Sequence, residues 1–378
     1  MLWGVVLTLH VTAFNYSSLL ALRFFLGAFE ATVTPAFVLF VSMWYARHEQ
    51  GKRINAFLCC NGIATLIMAP FAYGLSGVTD AAIQSWRILF LILGLLTVVT
   101  GIFLVFRMPD GQANARFLNP RQKQIAVERI RGNFQGIGNR NWDWAQFREA
   151  FADPRTYLYV LFSLLMNVPN GGITTFGSLI IKSFGFSSRV SLLLNMPGGM
   201  VDIICKLGFG YMSDKLVDRT LPATCAILIP MIGGIMMITI PQSAPAALLV
   251  GYYFISCAGA SWGLVMTMIS NNTVGYTKKA TVNGLQILAY GAGNWIGPQT
   301  FRAGDAPDYL HGKLMVAIMY GSAAMVLIAI RVVNIMENKR RDKMQAVEHM
   351  KPGTAEPETE EAFQDRTDFQ QSNFRYII

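Results

Sequence analysis

The chain has 378 residues, of which 53% are hydrophobic and only 14% charged, and its mean hydropathy is positive. A soluble domain carries about 25% charged residues, so the composition indicates a membrane protein. The net charge of +9 comes from basic residues in short loops between apolar runs. This placement excludes nucleic acid as a partner, because no basic face with interleaved aromatic residues is present.

Ten apolar segments follow one another, and nine are long enough to cross a hydrocarbon core about 30 Å thick at 1.5 Å per residue. They span residues 2–14, 18–44, 54–76, 87–107, 156–181, 189–213, 220–240, 244–270, 280–299 and 313–336. The first segment reaches only about 20 Å, and it lacks the basic n-region of a signal peptide.

Lysine and arginine are distributed unevenly between the two sets of loops. Segments 46–53, 107–155, 214–219, 277–279 and 337–343 together hold twenty of them, whereas the intervening loops and helix ends hold five. Under the positive-inside rule the basic segments face the cytoplasm. The long central loop and the C-terminal tail are therefore predicted to be cytoplasmic.

The central loop is predicted to contain two helices. "NPRQKQIAVERIR" begins with Asn119 as a cap and Pro120 in the first turn, and "WDWAQFREAFADP" ends at a proline that stops the helix. The acidic "TAEPETEE" indicates disorder in the tail. We predict a partial N-terminal bundle over 1–107, a cytoplasmic connector over 108–154, a six-helix bundle over 155–337 and a disordered cytoplasmic tail over 338–378.

The stretch "GFGYMSDKLVDR" (208–219) resembles the loop motif G-x-x-x-D-[RK]-x-x-x-[RK] of the major facilitator superfamily. The matching residues are Gly210, Asp214, Lys215 and Arg219. The glycine allows two helices to approach, the carboxylate can accept at a neighbouring helix N-terminus, and the basic residues can pair across the bundle to latch one conformation. The alternative is that the basic residues only supply positive-inside charge.

Six further stretches resemble the fungal allantoate permease family of anion:cation symporters. They are "RFFLGAFEATVTPAFVLFVSMWYARHEQGKR", "FGSLIIKSFGFSS", "LLNMPGG", "GYTKKATVNG", "GNWIGPQTFRAGDAP" and the terminal "NFRY". The resemblance implies an all-α, multi-pass protein of two helical bundles, of which about ten of twelve transmembrane helices are present. We expect the chain to lack two and a half helices at its front, and a true ten-helix protein is the alternative.

Arg23 and Glu30 lie seven residues apart in one predicted membrane helix. Seven residues return to within about 20° of the same face, about 10.5 Å further along the axis. A guanidinium can bind a carboxylate in fork geometry, and a carboxyl near the midplane can carry a proton. The alternatives are an arginine that extends to the interface and a structural carboxyl. Related organic-anion transporters carry the same spacing, which implies substrate binding by Arg23 and proton coupling by Glu30.

Amides near predicted helix breaks are further candidate ligands, because unwound backbone at the midplane can bind substrate. A break is predicted in "MNVPNGGITTFG" (166–177), and "YGAGNWIGP" (290–298) combines polar residues with close-packing glycines. The candidate substrate-binding residues besides Arg23 are Asn61, Asn167, Asn170, Tyr290 and Asn294. Hydrogen bonding between helices is the alternative role of the amides.

Asp202 and Lys206 form an i,i+4 pair that can meet directly within a predicted span. Self-neutralisation inside the bundle is the simplest explanation, and the role of the pair stays open. The histidines and cysteines show no metal-ligand spacing, and no hydrolase or phosphate-loop motif is present. The chain is therefore not expected to be an enzyme or to hold a metal or cofactor.

The predicted function is uptake of a small organic anion (allantoate, ureidosuccinate, nicotinate or a similar carboxylate) by proton symport and alternating access. The proton gradient supplies the driving force, and we expect a monomer in the plasma membrane with its C-terminal tail in the cytoplasm. The alternatives are a truncated fragment without transport activity and a membrane nutrient sensor.

Overall fold

The protein is described from a computed structural model over residues 1–75, 84–109, 111–112, 114–130, 142–305, 309–348, 365–371 and 373–378. Helices make up nearly all of the regular structure, and these ranges contain no β-strand. The predicted all-α fold class is confirmed. The acidic stretch "TAEPETEE" and residues 131–141 of the predicted connector lie outside the described residues.

Sixteen α-helices are described, and two short 3₁₀ turns (His10–Thr12 and Ala303–Asp305) accompany them. The first eight helices are α1 (Leu2–Leu9), α2 (Tyr16–Glu30), α3 (Val33–Trp44), α4 (Arg47–Leu58), α5 (Cys60–Leu75), α6 (Ser85–Arg107), α7 (Pro120–Ile130) and α8 (Trp144–Ala152). The others are α9 (Pro154–Ser183), α10 (Ser188–Leu193), α11 (Met196–Leu216), α12 (Thr220–Thr239), α13 (Pro245–Ile255), α14 (Ala258–Asn272), α15 (Tyr276–Gln299) and α16 (Leu310–Glu348).

Eight helical segments among the described residues are long and apolar enough to cross a membrane. They are Tyr16–Trp44, Glu49–Leu75, Trp86–Arg107, Pro154–Ser183, Ser188–Leu216, Thr220–Thr239, Pro245–Asn272 and Leu310–Gln345. Each coincides with one of the ten predicted spans. Helix α15 matches a ninth but is not among the eight, and Leu2–Thr12 is shorter than a span.

Both helices predicted for the central loop are present. The backbone N–H of Asn119, the residue before α7, donates to the side chain of Gln122 at 2.9 Å. This contact is typical of the start of a helix. Helix α8 ends at Ala152, and the side chain of Asp153 then accepts from the N–H of Arg155 and caps α9. The sequence therefore placed these helix ends correctly.

The chain divides into two compact units, which are residues 1–44 with 67–128 and residues 45–66 with 129–378. We call them unit 1 and unit 2. The boundary falls inside α5, and residues 45–66 belong to unit 2 because α4 packs against α11 and α14. The bundle boundaries predicted from sequence differ at this point and stay a prediction.

Unit 1 is built around the contact between α1 and α6. A Cβ atom at Gly4 would lie 2.8 Å from the backbone nitrogen of Val98, so the absent side chain lets the two helices touch. The guanidinium of Arg87 donates to the carbonyl of Ala13 at 3.1 Å and ties the start of α6 to the end of the first helical segment. Of the most apolar 18 residues of α6, only 6% are buried.

The largest helix contact of unit 2 joins α9 and α15. A Cβ atom at Gly171 would lie 2.5 Å from the carbonyl oxygen of Asn294, and one at Gly293 would lie 2.9 Å from that of Leu164. These glycines on both helices bring the two backbones into direct contact. The prediction that residues 290–298 contain close-packing glycines is confirmed.

The predicted helix break in residues 166–177 is wrong. Helix α9 runs without interruption over 30 residues, with Pro169 buried inside it. A membrane helix tolerates proline where neighbouring helices satisfy the freed backbone groups, and α15 packs closely along this stretch. Gly171 and Gly172 therefore serve helix packing here and do not unwind the backbone.

The predicted disorder of residues 338–378 is wrong at both ends of that range. Helix α16 continues to Glu348, and residues 365–371 and 373–378, which we call the C-terminal segment, pack against helices of unit 2, to which they belong. The backbone of Ile377 exchanges two hydrogen bonds with the side chain of Asn272, at 2.8 and 2.7 Å. Acidic composition indicated solvation, but it could not show that buried basic residues lie opposite this segment.

Candidate functional site

Arg23 and Glu30 lie on one uninterrupted helix, α2, as predicted. Asn15 starts this helix with a capping box, and Glu30 is its last residue before the chain turns into α3. Both side chains are exposed within unit 1, and a Cβ atom at Gly27 between them would meet no atom within 4 Å. The face that carries the two charges is therefore open.

The charges on this face are not paired with each other. The guanidinium carbon of Arg23 lies 5.4 Å from the centre of the Phe90 ring, at the range of a cation–π contact. No ion pair joins Arg23 or Glu30 to any group in the described part of the chain. An arginine in this state keeps donors in the planar arrangement that a carboxylate accepts.

The structure brings three of the predicted polar residues together where α9 meets α15. The amide nitrogen of Asn170 donates to the amide oxygen of Asn294 at 3.0 Å, and Asn294 donates to the carbonyl of Tyr290 at 2.9 Å. The ring of Tyr290 lies 5.5 Å from that of Trp262. This amide cluster bridges the two helices and remains partly exposed.

Asn167 and Asn61 differ from the other candidate ligands. Asn167 is 1% exposed and donates to the carbonyl of Ser163 one turn earlier, so its side chain is used within α9. Asn61 lies at the start of α5 and is exposed. Its side chain forms no hydrogen bond with the amide cluster among the described residues. Substrate binding by either residue stays a prediction.

Three of the four predicted latch residues meet at the end of α11. A Cβ atom at Gly210 would lie 3.0 Å from Cβ of Asn55, so α11 and α4 are in close contact there. One carboxylate oxygen of Asp214 accepts from the backbone N–H of Lys52 at 2.7 Å, and the other lies 2.6 Å from the guanidinium of Arg219. Lys215 is exposed and belongs to no ion pair in the described ranges.

Asp202 and Lys206 form the predicted ion pair, with 2.6 Å between carboxylate and ammonium. The pair also contacts another span, because the ammonium of Lys206 donates to the carbonyl of Leu58 at 2.9 Å. Lys206 is 3% exposed. The simple interpretation of self-neutralisation within α11 is therefore incomplete.

A cluster of buried charges at one end of the helices of unit 2 was not predicted from the sequence. The ammonium of Lys278 lies within ion-pair distance of three carboxylates, namely those of Glu149 (2.9 Å), Asp153 (3.2 Å) and Asp368 (2.7 Å). Arg155 pairs with Asp153 at 2.8 Å and with Asp368 at 3.2 Å. These five residues, from α8 to the start of α9, from α15 and from the C-terminal segment, form the buried charge cluster.

Tyr376 of the terminal "NFRY" closes this cluster. Its hydroxyl donates to the carboxylate of Asp368 at 2.6 Å, and its ring lies 3.6 Å from the guanidinium carbon of Arg155. Burial alone would raise the pKa of the Asp153 carboxyl, but the charge and hydrogen bonds of Arg155 hold it below its usual range. The stretches "GYTKKATVNG" and "NFRY" were noted only as family matches, and their contact was not foreseen.

Unit 1 therefore carries an open charged helix face. Unit 2, taken by itself, carries bridging amides and several ion pairs. No group of histidine, cysteine or carboxylate side chains that could hold a metal ion occurs among the described residues. Eight helical segments of the described chain are long and apolar enough to cross a membrane. These features define a multi-pass membrane protein whose uncommitted polar groups suit small-molecule recognition.

Comparison with known proteins identifies the family. The profile of the Major Facilitator Superfamily matches residues 1–298. The allantoate permease of Saccharomyces cerevisiae is 36% identical over 389 residues, covering 100% of this chain and 70% of that protein. An uncharacterized transporter of Schizosaccharomyces pombe is 35% identical and covers 100% of this chain and 73% of that protein. The chain belongs to the Major Facilitator Superfamily, among the fungal transporters related to allantoate permease, and is a membrane transporter and not an enzyme.

Solved structures agree on the fold. The proton:xylose symporter XylE superposes with a TM-score of 0.64 at 15% identity, over 86% of this chain and 76% of that one. The E. coli fucose:proton symporter superposes with a TM-score of 0.62 at 12% identity, over 87% and 80% of the two chains. At these identities the comparison establishes the fold alone.

Proposed function

We propose that the protein takes up a small organic anion across the plasma membrane in symport with protons, by alternating access. The substrate is a carboxylate of the class that includes allantoate, ureidosuccinate and nicotinate. The observation that carries the proposal is Arg23, an arginine on the open face of a membrane helix that has no carboxylate partner among the described residues. The identity of 36% with allantoate permease supports the substrate class.

Each candidate residue has a proposed role. Arg23 binds the substrate carboxylate through paired N–H donors, and Glu30 carries the coupled proton. Asn170, Tyr290 and Asn294 supply neutral hydrogen-bonding groups, since their side chains remain partly exposed. The proton gradient is the driving force, and no bound cofactor takes part.

Uptake of radiolabelled allantoate, ureidosuccinate and nicotinate into a yeast strain without these permeases tests the proposal. We expect saturable uptake that increases as the external pH falls and disappears with a protonophore. Arg23→Ala is expected to abolish uptake, and Arg23→Lys to recover little because an ammonium cannot form the bidentate contact. Glu30→Gln is expected to retain exchange of internal for external substrate but to lose accumulation.

Arg107→Ala is the matched control, because Arg107 is an exposed arginine of the same unit at the end of α6. Its uptake and cell-surface level should equal those of the parent protein. Proton-dependent uptake that persists in both Arg23→Ala and Glu30→Gln would contradict the assigned roles. Binding of substrate without any uptake would instead favour the nutrient-sensor alternative.

We also propose that Gly210, Asp214 and Arg219 latch one conformation of the transport cycle, since Asp214 connects α11 to both α4 and Arg219. Asp214→Asn is expected to lower the maximal uptake rate by about tenfold, as for an interaction made in one state of a cycle. Lys215→Ala, at an exposed residue of the same motif, is expected to retain most of the rate. Equal effects of the two substitutions would contradict the latch.

Cellular location and oligomeric state complete the proposal. We expect a fluorescent fusion of the full chain to label the cell periphery, with its C-terminus accessible only after permeabilisation. The detergent-solubilised protein is expected to elute as a monomer with a mass near 41.8 kDa for the polypeptide. Retention in internal membranes, or a stable dimer, would contradict these two points separately.

A further inference from the structure

The span that contains α4 and α5 is interrupted near its middle. Helix α4 ends at Leu58, the next residue is in a turn, and α5 begins at Cys60. Carbonyls at the end of one helix and N–H groups at the start of the next carry partial charges of opposite sign. Inside a membrane such groups must find partners within the protein.

The Asp202–Lys206 pair provides these partners with matching charges. The ammonium of Lys206 donates to the carbonyl of Leu58 at 2.9 Å, at the negative end of α4. The carboxylate of Asp202 accepts from the backbone N–H of Gly62, in the first turn of α5. Leu58 and Gly62 are residues i and i+4, whose backbone groups bond each other in an uninterrupted helix.

Glycines from three helices enclose the pair. A Cβ atom at Gly259 of α14 would lie 2.6 Å from Cε of Lys206 and 2.7 Å from a carboxylate oxygen of Asp202. A Cβ atom at Gly62 would lie 2.5 Å from the carbonyl of Gly199 on α11. Larger residues at these positions would displace the charges, so the space is matched to the ion pair.

The contact of the pair with the interrupted backbone is made inside one compact unit. Leu58 and Gly62 belong to residues 45–66, which pack with α11 and α14 in unit 2.

We propose that Asp202 and Lys206 are positioning residues of the transport cycle, which bind the interrupted backbone at Leu58 and Gly62 and hold this part of the span against α11. The inference rests on the proposed transport function for its rate measurement only. The partner groups are main-chain atoms, so the site recognises the conformation of the span and not the identity of its side chains.

The critical variant is the double substitution Asp202→Asn with Lys206→Met, which removes both charges and leaves neither unpaired. Each single substitution leaves one buried charge without its partner and is expected to lower the amount of folded protein. The double variant is expected to fold but to show a maximal uptake rate at least about tenfold lower, with KM within about threefold. Lys206→Arg, which keeps the charge, should recover part of the rate.

A second measurement is independent of the substrate. Cys59 lies at the helix interruption and is 4% exposed, so its reaction with N-ethylmaleimide reports whether the span has moved. In a full-length background with the other four cysteines replaced by serine or alanine, the double variant is expected to react about fivefold faster or more. The parent pair in the same background is the control.

The two measurements separate the possible failures. The positioning role would be overturned if the double variant labelled Cys59 and took up substrate at the same rates as the parent protein. Faster labelling in a protein that transports none of the tested anions would support the positioning role and contradict the proposed substrate class. A double variant with normal labelling but a low rate would also overturn the proposal, because the span would not have moved.

Discussion

The charged face of α2 and the buried charge cluster hold charged side chains in opposite environments. On α2, Arg23 and Glu30 are exposed within their unit and have no ion-pair partner among the described residues. In the cluster, the side chains of Lys278 and Asp368 are 1% and 0% exposed and are paired. A buried charge is tolerated only when it is paired, so the charges of the cluster have a structural role. The charges of α2 remain available to a ligand.

The burial of the helices also differs between the two units. Of the most apolar 18 residues, 72% are buried in Pro245–Asn272 but only 6% in Trp86–Arg107. Substitutions in unit 2 are therefore expected to act mainly on stability, and substitutions on α2 mainly on transport.

The largest effect is expected for Asp368→Asn in the C-terminal segment. The substitution removes the buried carboxylate that pairs with both Arg155 and Lys278, and breaking a buried pair costs about 3–5 kcal/mol. Thermal unfolding of the detergent-solubilised protein measures the change. Limited proteolysis should show release of the segment.

Asp342→Asn is the matched control for that substitution. Asp342 also pairs with a residue of the C-terminal segment, Arg375, at 2.8 Å, but its side chain is 65% exposed. An exposed pair contributes about 0–1 kcal/mol. If Asp368→Asn and Asp342→Asn had the same small effect on the unfolding midpoint, the structural role of the buried cluster would be contradicted.

A smaller loss is expected for Gly171→Ala at the contact of α9 and α15. The new Cβ atom would lie 2.5 Å from the carbonyl oxygen of Asn294. This is a backbone atom, which cannot move away by a change of rotamer. Overpacking of this kind costs about 1–3 kcal/mol. The thermal unfolding midpoint should fall, and the hydrogen bond between Asn170 and Asn294 should weaken.

Gly291→Ala on α15 provides the contrast, because a Cβ atom there would meet nothing within 4 Å. Alanine is favoured over glycine in a helix interior by up to about 1 kcal/mol. The midpoint should therefore stay the same or rise. A loss at Gly291 equal to that at Gly171 would mean that backbone conformation, and not helix contact, explains both glycines.

The smallest effect on stability is expected for Arg23→Met and Glu30→Gln. Exposed substitutions that break no ion pair usually change stability by less than about 0.5 kcal/mol. Uptake should nevertheless be lost or uncoupled from protons, as proposed above. A large fall in the unfolding midpoint for either variant would show that the charges of α2 are structural.

Much of the fold could be predicted from the sequence because the lipid bilayer restricts the backbone conformations that can cross it. Backbone groups in the hydrocarbon core must be satisfied within the segment, so eight of the predicted spans correspond to helices long and apolar enough to cross. The ends of α7 and α8 were predicted from local capping and proline chemistry. The break predicted near Pro169 failed, because neighbouring helices decide whether a proline interrupts a membrane helix.

The candidate site was predictable only where its geometry is local. Arg23 and Glu30 share a face of α2 because helical spacing alone sets their positions. The contact of Asn170 with Asn294 joins residues 124 positions apart, and no local pattern specifies that distance. The salt bridges of Asp368 also join residues far apart in the sequence, so they were not predicted. An acidic tail is expected to be solvated unless its basic partners are known.

The sequence alone determined the membrane class, the helical fold, the family motifs and the charged stripe of α2, because these depend on composition and on spacing within single helices. Only the tertiary structure decided which charges are paired. It placed Lys206 on the carbonyl of Leu58 and Asp368 beside Lys278. The physical reason is that the free energy of a charge in a membrane protein depends on the partner that packing brings to it.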